Sequence, residues 1–172
     1  RDACILQSIN ALECLAIMNL CDDAAHSRFT LHGVETYRNA LARGRGVCVA
    51  SLHLGNFEQS IALIAAQGFT LNIIYRRLGW GALHDYWNLV RESFGIQAIS
   101  HRKSRDEIRA ALQRGESVGF ACDQHMPAHR GILTRFLGQL AATTPAPTRF
   151  AHESGSAIIV AYTYRDPNNP LK

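Results

Sequence analysis

Apolar and polar positions alternate along this chain in two rhythms, and the rhythms take turns. Residues 3–20 (ACILQSINALECLAIMNL) repeat apolar side chains at helical spacing and predict a helix. A second, shorter helix is expected over Val34–Ala42, ending at the Gly44/Gly46 stop signal. Gly46–Leu52 is then a short apolar run with β-branched residues, the pattern of a buried strand. The same alternation continues with a helix over Glu58–Gln67, a strand over Thr70–Tyr75, a helix over Gly81–Phe94 and a strand over Ile96–Ser100. Ser104, followed three residues later by Glu107, has the form of a helix-capping box, and that helix should end at Gly115. Ser117–Cys122 and Ile132–Leu137 read as strands, Pro147–Ser154 as a short helix and Ala157–Tyr164 as a final strand. Strands alternating with helices predict an α/β fold: a three-layer sandwich whose mixed, largely parallel central sheet is flanked by helices.

Composition narrows the class. The 172 residues are 47% hydrophobic and 19% charged, a globular balance that excludes disordered, collagenous and coiled-coil chains. The length suits a single domain, residues 1–172. The formal charge of +4 is a mild excess, suited to phosphates, acidic carrier proteins or a membrane surface. Cysteines at 4, 14, 21, 48 and 122 are odd in number and lack CxxC spacing, so neither a disulfide framework nor a cysteine zinc site is expected. No stretch of 18 apolar residues and no signal peptide occurs. Basic residues are scattered and not interleaved with aromatics, which argues against nucleic acid as a partner. The eight histidines form no HExxH or His-x-His pair, and Pro127 between His125 and His129 opposes a helical ligand pair, so no metal is expected.

Candidate chemistry sits where strands end. His53 directly follows a buried strand and Glu58 opens the next helix. Ligands of α/β sheets gather at such carboxyl ends. On a continuous helix, residues five apart diverge by roughly 140°, so His53 and Glu58 meet only if the chain turns, and Gly55-Asn56 is a turn-prone dipeptide. A carboxylate on one ring nitrogen would fix the tautomer and leave the other nitrogen to take a proton from an alcohol. On spacing alone, a surface pair or a satisfied core group is the competing reading. Asp123-Gln124 follows a second apolar strand, where an Asp also serves to cap a turn. Arg76 and Arg77 end a third, placed either to hold a phosphate or oxyanion or simply to be solvated.

These residues carry a resemblance. His53-Leu-Gly-Asn-Phe-Glu58 resembles the His-x4-Glu motif of the bacterial lipid A late acyltransferases, a family that includes the phosphatidylinositol mannoside acyltransferases. It is more distantly similar to the glycerol-3-phosphate acyltransferases. Four further blocks follow the family's order: Arg43 to His53, Tyr75-Arg76, Arg114 to Gln124, and Gly131 to Gly138 with Ala142-Thr143. Phe57 stands where the family has Trp, His125 follows Asp-Gln, and Thr134-Arg135 replaces apolar residues. The family's N-terminal hydrophobic anchor and later C-terminal segment are not recognised, so the chain is read as a fragment of a longer protein.

The resemblance implies an O-acyltransferase of lipid A (lipopolysaccharide) biosynthesis at the cytoplasmic face of the inner membrane. A fatty acyl chain would pass from an acyl thioester, on acyl carrier protein or CoA, to a hydroxyl of a glycolipid acceptor. Neither a cofactor nor an enzyme nucleophile is implied. His53 would be the general base, with Glu58 orienting it and stabilising the imidazolium. Arg76 would contact the oxyanion or an acceptor phosphate, and Asp123 would line the cleft as an orienting group. Asn56, Arg77 and Gln124 are expected to bind substrate. A basic surface at Arg102, Lys103, Arg105 and Arg109 suits an acidic carrier or a membrane surface, or is an ordinary solvated helix face. The alternatives are a mannoside, amino-lipid or secondary-metabolite acceptor, a hydrolase, or a catalytically silent lipid- or carrier-binding module.

Overall fold

A computed structural model describes residues 2–16, 29–77, 79–101 and 104–166. Residues 17–20 of the first expected helix, Cys21, Arg102 and Lys103 lie outside these. The elements are α1 (Asp2–Ala16), α2 (Val34–Leu41), β1 (Val47–Ser51), α3 (Phe57–Ala66), β2 (Leu71–Tyr75), α4 (Gly81–Ser93), β3 (Gln97–Ser100), α5 (Ser104–Gln113), β4 (Ser117–Ala121), β5 (Ile132–Phe136), β6 (Gln139–Thr143), α6 (Ala146–Ser154) and β7 (Ala157–Ala161).

Five strands form one sheet in the order β3-β2-β4-β1-β7, every pair parallel. Strand alternation sends neighbouring side chains to opposite faces and so creates two cores. On one face Cys48, Val118, Phe120 and Ile99 meet Ile108, Ala111 and Leu112 of α5 and Phe150 and Ala151 of α6. On the other, Leu71 and Ile73 pack with Ala62 and Ala65 of α3, while Val47 and Val49 pack with Ala40 of α2. The result is the expected three-layer α/β sandwich. Ile108 and Leu112 are 1% exposed, and each such side chain contributes about 1.5–3 kcal/mol by leaving water. The inner strands β1 and β4 are apolar on both faces because both are covered, whereas the edge strand β7 leaves Ile158 and Val160 exposed.

Three local readings differ. β5 and β6 form a separate antiparallel hairpin, and β6 was not expected from the sequence. Its alternation is masked by the small residues Ala141 and Ala142. Ser104 is the first residue of α5, and its hydroxyl donates to the His101 carbonyl at 3.3 Å, so it does not form the expected box. The last strand ends at Ala161, three residues early.

Candidate active site

The chain's route across the sheet creates the site. From β1 it runs through α3, past β4, to β2; from β4 it runs through the hairpin and α6, past β1, to β7. The two neighbouring strands therefore send their connections in opposite directions and onto opposite faces. A crevice opens at their carboxyl ends, the place where open α/β sheets bind ligands. β1 and β4 end level, Ser51 opposite Ala121, and the Cys122 N–H donates to the Ser51 carbonyl at 2.8 Å. His53 and Asp123 each lie two residues beyond those ends, one on each side of the crevice.

Asp123 holds His53 twice. One carboxylate oxygen lies 2.8 Å from the ring Nδ1, and the other accepts from the His53 backbone N–H at 2.8 Å. Burial pushes the Asp123 carboxyl up, but the hydrogen bonds from the His53 ring and backbone outweigh it and hold the group below the usual carboxylate range. An ionised Asp123 only accepts hydrogen bonds, so the network assigns the ring proton to Nδ1 and leaves a lone pair on Nε2. Among the described residues nothing hydrogen-bonds Nε2. The ring is about one-third exposed and sits edge-on to Phe57, with centroids 4.8 Å apart. Both His53 and Phe57 line a groove of about 1870 Å³ that also takes in Arg76, Gln124 and apolar side chains such as Leu83, Trp87 and Met126.

Glu58 is elsewhere. Its carboxylate grips Arg91 of α4 through both oxygens, at 2.5 Å to Nη2 and 3.3 Å to Nε, with both side chains largely buried. Among the described residues no hydrogen bond or ion pair joins it to His53. The chain does turn at Gly55-Asn56, as expected, but helix α3 begins at once. Phe57 meets the imidazole, and the next helical residue points about 100° away from it. The carboxylate touching His53 thus comes from Asp123, 70 residues on, and the expected His53–Glu58 contact is replaced by Glu58–Arg91.

The turn itself is built from afar. Asn56 is 4% exposed and caps α3, its Oδ1 accepting from the Gln59 N–H at 3.3 Å. Its other contacts are also internal: Cys14 Sγ donates to Oδ1, and Nδ2 donates to Glu13. These bonds hold its polar atoms within the protein, and the residue also lines the groove. Asn10 of α1 donates to the Gly55 carbonyl at 2.8 Å, and Arg165 bonds both Asn10 and Glu13. Gly55 has φ 61°, and a Cβ there would lie 2.7 Å from the Thr163 carbonyl oxygen, so only glycine fits. Sequence reasoning missed Asn10, Glu13, Arg91 and Arg165; their partners lie 33 to 155 residues away, beyond any local pattern.

Arg76 and Arg77 follow β2 and are exposed, and among the described residues neither makes an ion pair. Arg76 lines the groove and Arg77 does not. Gln124 lines it, whereas Asp123, expected to line the cleft, stands behind His53 and is not among the lining residues. Among the described residues no three His, Cys, Asp or Glu side chains gather as a metal site would require, and no helix is long and apolar enough to cross a membrane.

Comparison with known proteins agrees with this architecture. No curated protein matches the sequence closely enough to add a relative. The family model described as bacterial lipid A biosynthesis acyltransferase matches residues 7–170, from α1 through β7 and beyond. With nearly the whole length covered, the chain belongs to the bacterial lipid A biosynthesis acyltransferase family.

Proposed function

We propose that the chain moves a fatty acyl group from a thioester, on acyl carrier protein or CoA, to a hydroxyl of a lipid A precursor or a similar glycolipid, with His53 as general base. The supporting observation is the double grip of Asp123 on His53, which leaves Nε2 unoccupied on the wall of a partly apolar groove. Nε2 takes the acceptor's proton as its oxygen attacks the thioester carbonyl. The tetrahedral intermediate then collapses, the carbon–sulfur bond breaks, and the imidazolium returns the proton to the departing thiolate. The products are an ester and a free thiol. Positioned proton transfer of this kind typically supplies about 10² to 10⁴ in rate.

In this reading Asp123 fixes the tautomer and balances the imidazolium, the part first given to Glu58. Glu58 acts on structure, tying the start of α3 to α4 through Arg91. Arg76, exposed on the groove, takes the oxyanion or an acceptor phosphate, and Gln124 lies within the same groove to bind substrate. The chemistry needs neither metal nor cofactor. The reaction would take place at the cytoplasmic face of the inner membrane, where a lipid acceptor is held.

The test is thiol release from an acyl thioester with and without glycolipid acceptor. Release that depends on acceptor supports transfer. Equal release without acceptor makes the chain a hydrolase, and no release makes it a binding module.

A further inference from the structure

The β5–β6 hairpin leaves an anomaly that catalysis does not use. It forms a sheet of its own, and both strands of such an isolated pair are marginal in water. Yet its large side chains are apolar and uncovered: Ile132, Leu133, Phe136, Leu137 and Leu140 are all more than half exposed. The turn is Leu137-Gly138, with φ 49° and 80°, the pattern of a type I′ turn that favours Asn or Gly at both places. Leu137 is the sole non-glycine with positive φ among the described residues, and at 88% its side chain is among the most exposed. A strained, apolar tip is a poor choice for a surface meant to face water.

The charge along this stretch of the chain has one sign. From Gln124 to His152 the sequence contains no Asp or Glu, while Arg130, Arg135 and Arg149 lie within that stretch. Arg135 is on the hairpin, directly opposite Leu140. Apolar side chains with an arginine among them, on a stretch of chain that is basic throughout, suit the boundary of an anionic bilayer, where the apolar groups enter the acyl region and guanidinium groups meet lipid headgroups.

The hairpin is also joined to the site. It hangs from the segment that begins at Asp123, and Met126 N–H donates to the Ala142 carbonyl at 3.1 Å. Gly131 packs so closely that a Cβ there would lie 3.1 Å from both Met126 Cβ and the Thr143 carbonyl oxygen. His125, Met126, Arg130 and Thr144, at its root, line the groove.

We propose that the β5–β6 hairpin inserts its tip, Phe136 and Leu137, into the surface of an anionic lipid bilayer and so seats the mouth of the His53 groove against the membrane. The proposal concerns how the acceptor is reached and rests on the acyltransferase reading only for its purpose. Insertion itself is measured independently of turnover.

The experiment is cosedimentation of the chain with vesicles of phosphatidylglycerol and phosphatidylethanolamine, and with phosphatidylcholine vesicles as the neutral control. The wild type should bind the anionic vesicles more tightly. Leu137→Asn should weaken binding about tenfold or more, by the apolar surface lost, while raising the melting temperature because Asn relieves the turn. Arg135→Gln should weaken binding to anionic vesicles about fivefold and leave the neutral control unchanged. Equal binding of wild type and Leu137→Asn overturns the proposal, as does equal binding to both vesicle types. A fall in melting temperature or loss of a dimer in Leu137→Asn also overturns it, since protein rather than lipid would then cover the tip. With a water-soluble acceptor, Leu137→Asn should transfer acyl groups as the wild type does. If the wild type binds vesicles through the tip but transfers nothing, the acyltransferase reading falls and the insertion stands.

Discussion

Replacing Asp123 by Asn separates the two carboxylates near His53. The wild-type carboxylate accepts from two N–H groups of one residue, each at 2.8 Å. An amide has one accepting oxygen and one donating NH2, so it cannot satisfy both. If its oxygen keeps the backbone N–H, its NH2 faces Nδ1, and the ring proton must move to Nε2, where the base is lost. If its oxygen keeps Nδ1–H, the NH2 is set against the backbone N–H and the loop shifts. Either way the expected fall in kcat is about 10² to 10⁴, the full value of general-base assistance. The stability loss should be small, about 1 kcal/mol, because the pair is one-third exposed and each charge-assisted bond is partly replaced by water. The pH profile gives a second reading. The Asp123 carboxyl lies below its ordinary value in the folded chain, so its stabilisation is complete above about pH 5 and is lost as pH falls through the folded value. Wild type and Asp123→Asn should therefore differ in urea midpoint at neutral pH and converge in strong acid. Steady-state kinetics of thiol release and urea titration at several pH values measure both. An Asp123→Asn protein with undiminished kcat would refute the assignment.

Glu58→Gln should behave in the opposite way: it strands the buried Arg91 guanidinium and costs about 3 kcal/mol in urea unfolding, with Arg91→Ala costing a similar amount and the double variant less than the sum. If Glu58→Gln instead lost activity with its stability unchanged, Glu58 rather than Asp123 would be the orienting group. Gly55→Ala forces a Cβ to 2.7 Å from the Thr163 carbonyl oxygen at positive φ, so thermal melting should show a loss of about 1–3 kcal/mol and kinetics a fall in kcat as His53 is displaced. Burial pushes the Cys14 thiol up to about 12 and the Cys48 thiol up to about 11. Both should resist iodoacetamide at pH 8 in the folded chain and react in urea, as read by peptide mass spectrometry.

What could be read from the sequence was local or periodic. Strands such as Val47–Ser51 and Ser117–Ala121 stood out because both sides of a covered parallel sheet demand apolar residues, leaving unbroken runs. His53 and Asp123 were both visible as polar groups placed directly after such runs. Their contact was not visible, because it depends on β1 and β4 being neighbours, and strand order is a property of the whole sheet. The hexapeptide drew His53 and Glu58 together by nearness in sequence. The structure separates them by starting a helix between them, and the signal for that start is Asn56, a strong N-cap residue as well as half of a turn-prone dipeptide. β6 was lost for a different reason: Ala141 and Ala142 weaken its alternation, and the two-residue turn before it carries Leu where Asn would have announced a hairpin.

Electrostatics gives a reason for dividing the work between two carboxylates. Unit charges 4 Å apart near a protein surface attract by about 4 kcal/mol at an effective dielectric of about 20, and by less for groups as exposed as His53 and Asp123. That attraction is available to an imidazolium only from a carboxylate with no nearer cation. Glu58 is already matched by a guanidinium at 2.5 Å, and the pair together presents little net charge to the crevice. Among the described residues Asp123 has no such partner: the hydrogen bonds that hold it come from His53 and from its own backbone N–H. Its negative charge would thus be unspent until the ring takes a proton, which is when the proposed reaction needs it. A largely buried, neutralised pair fixes the helix that carries the loop, and a one-third exposed, unneutralised carboxylate would serve the proposed base, so each group's surroundings match the task the proposal gives it.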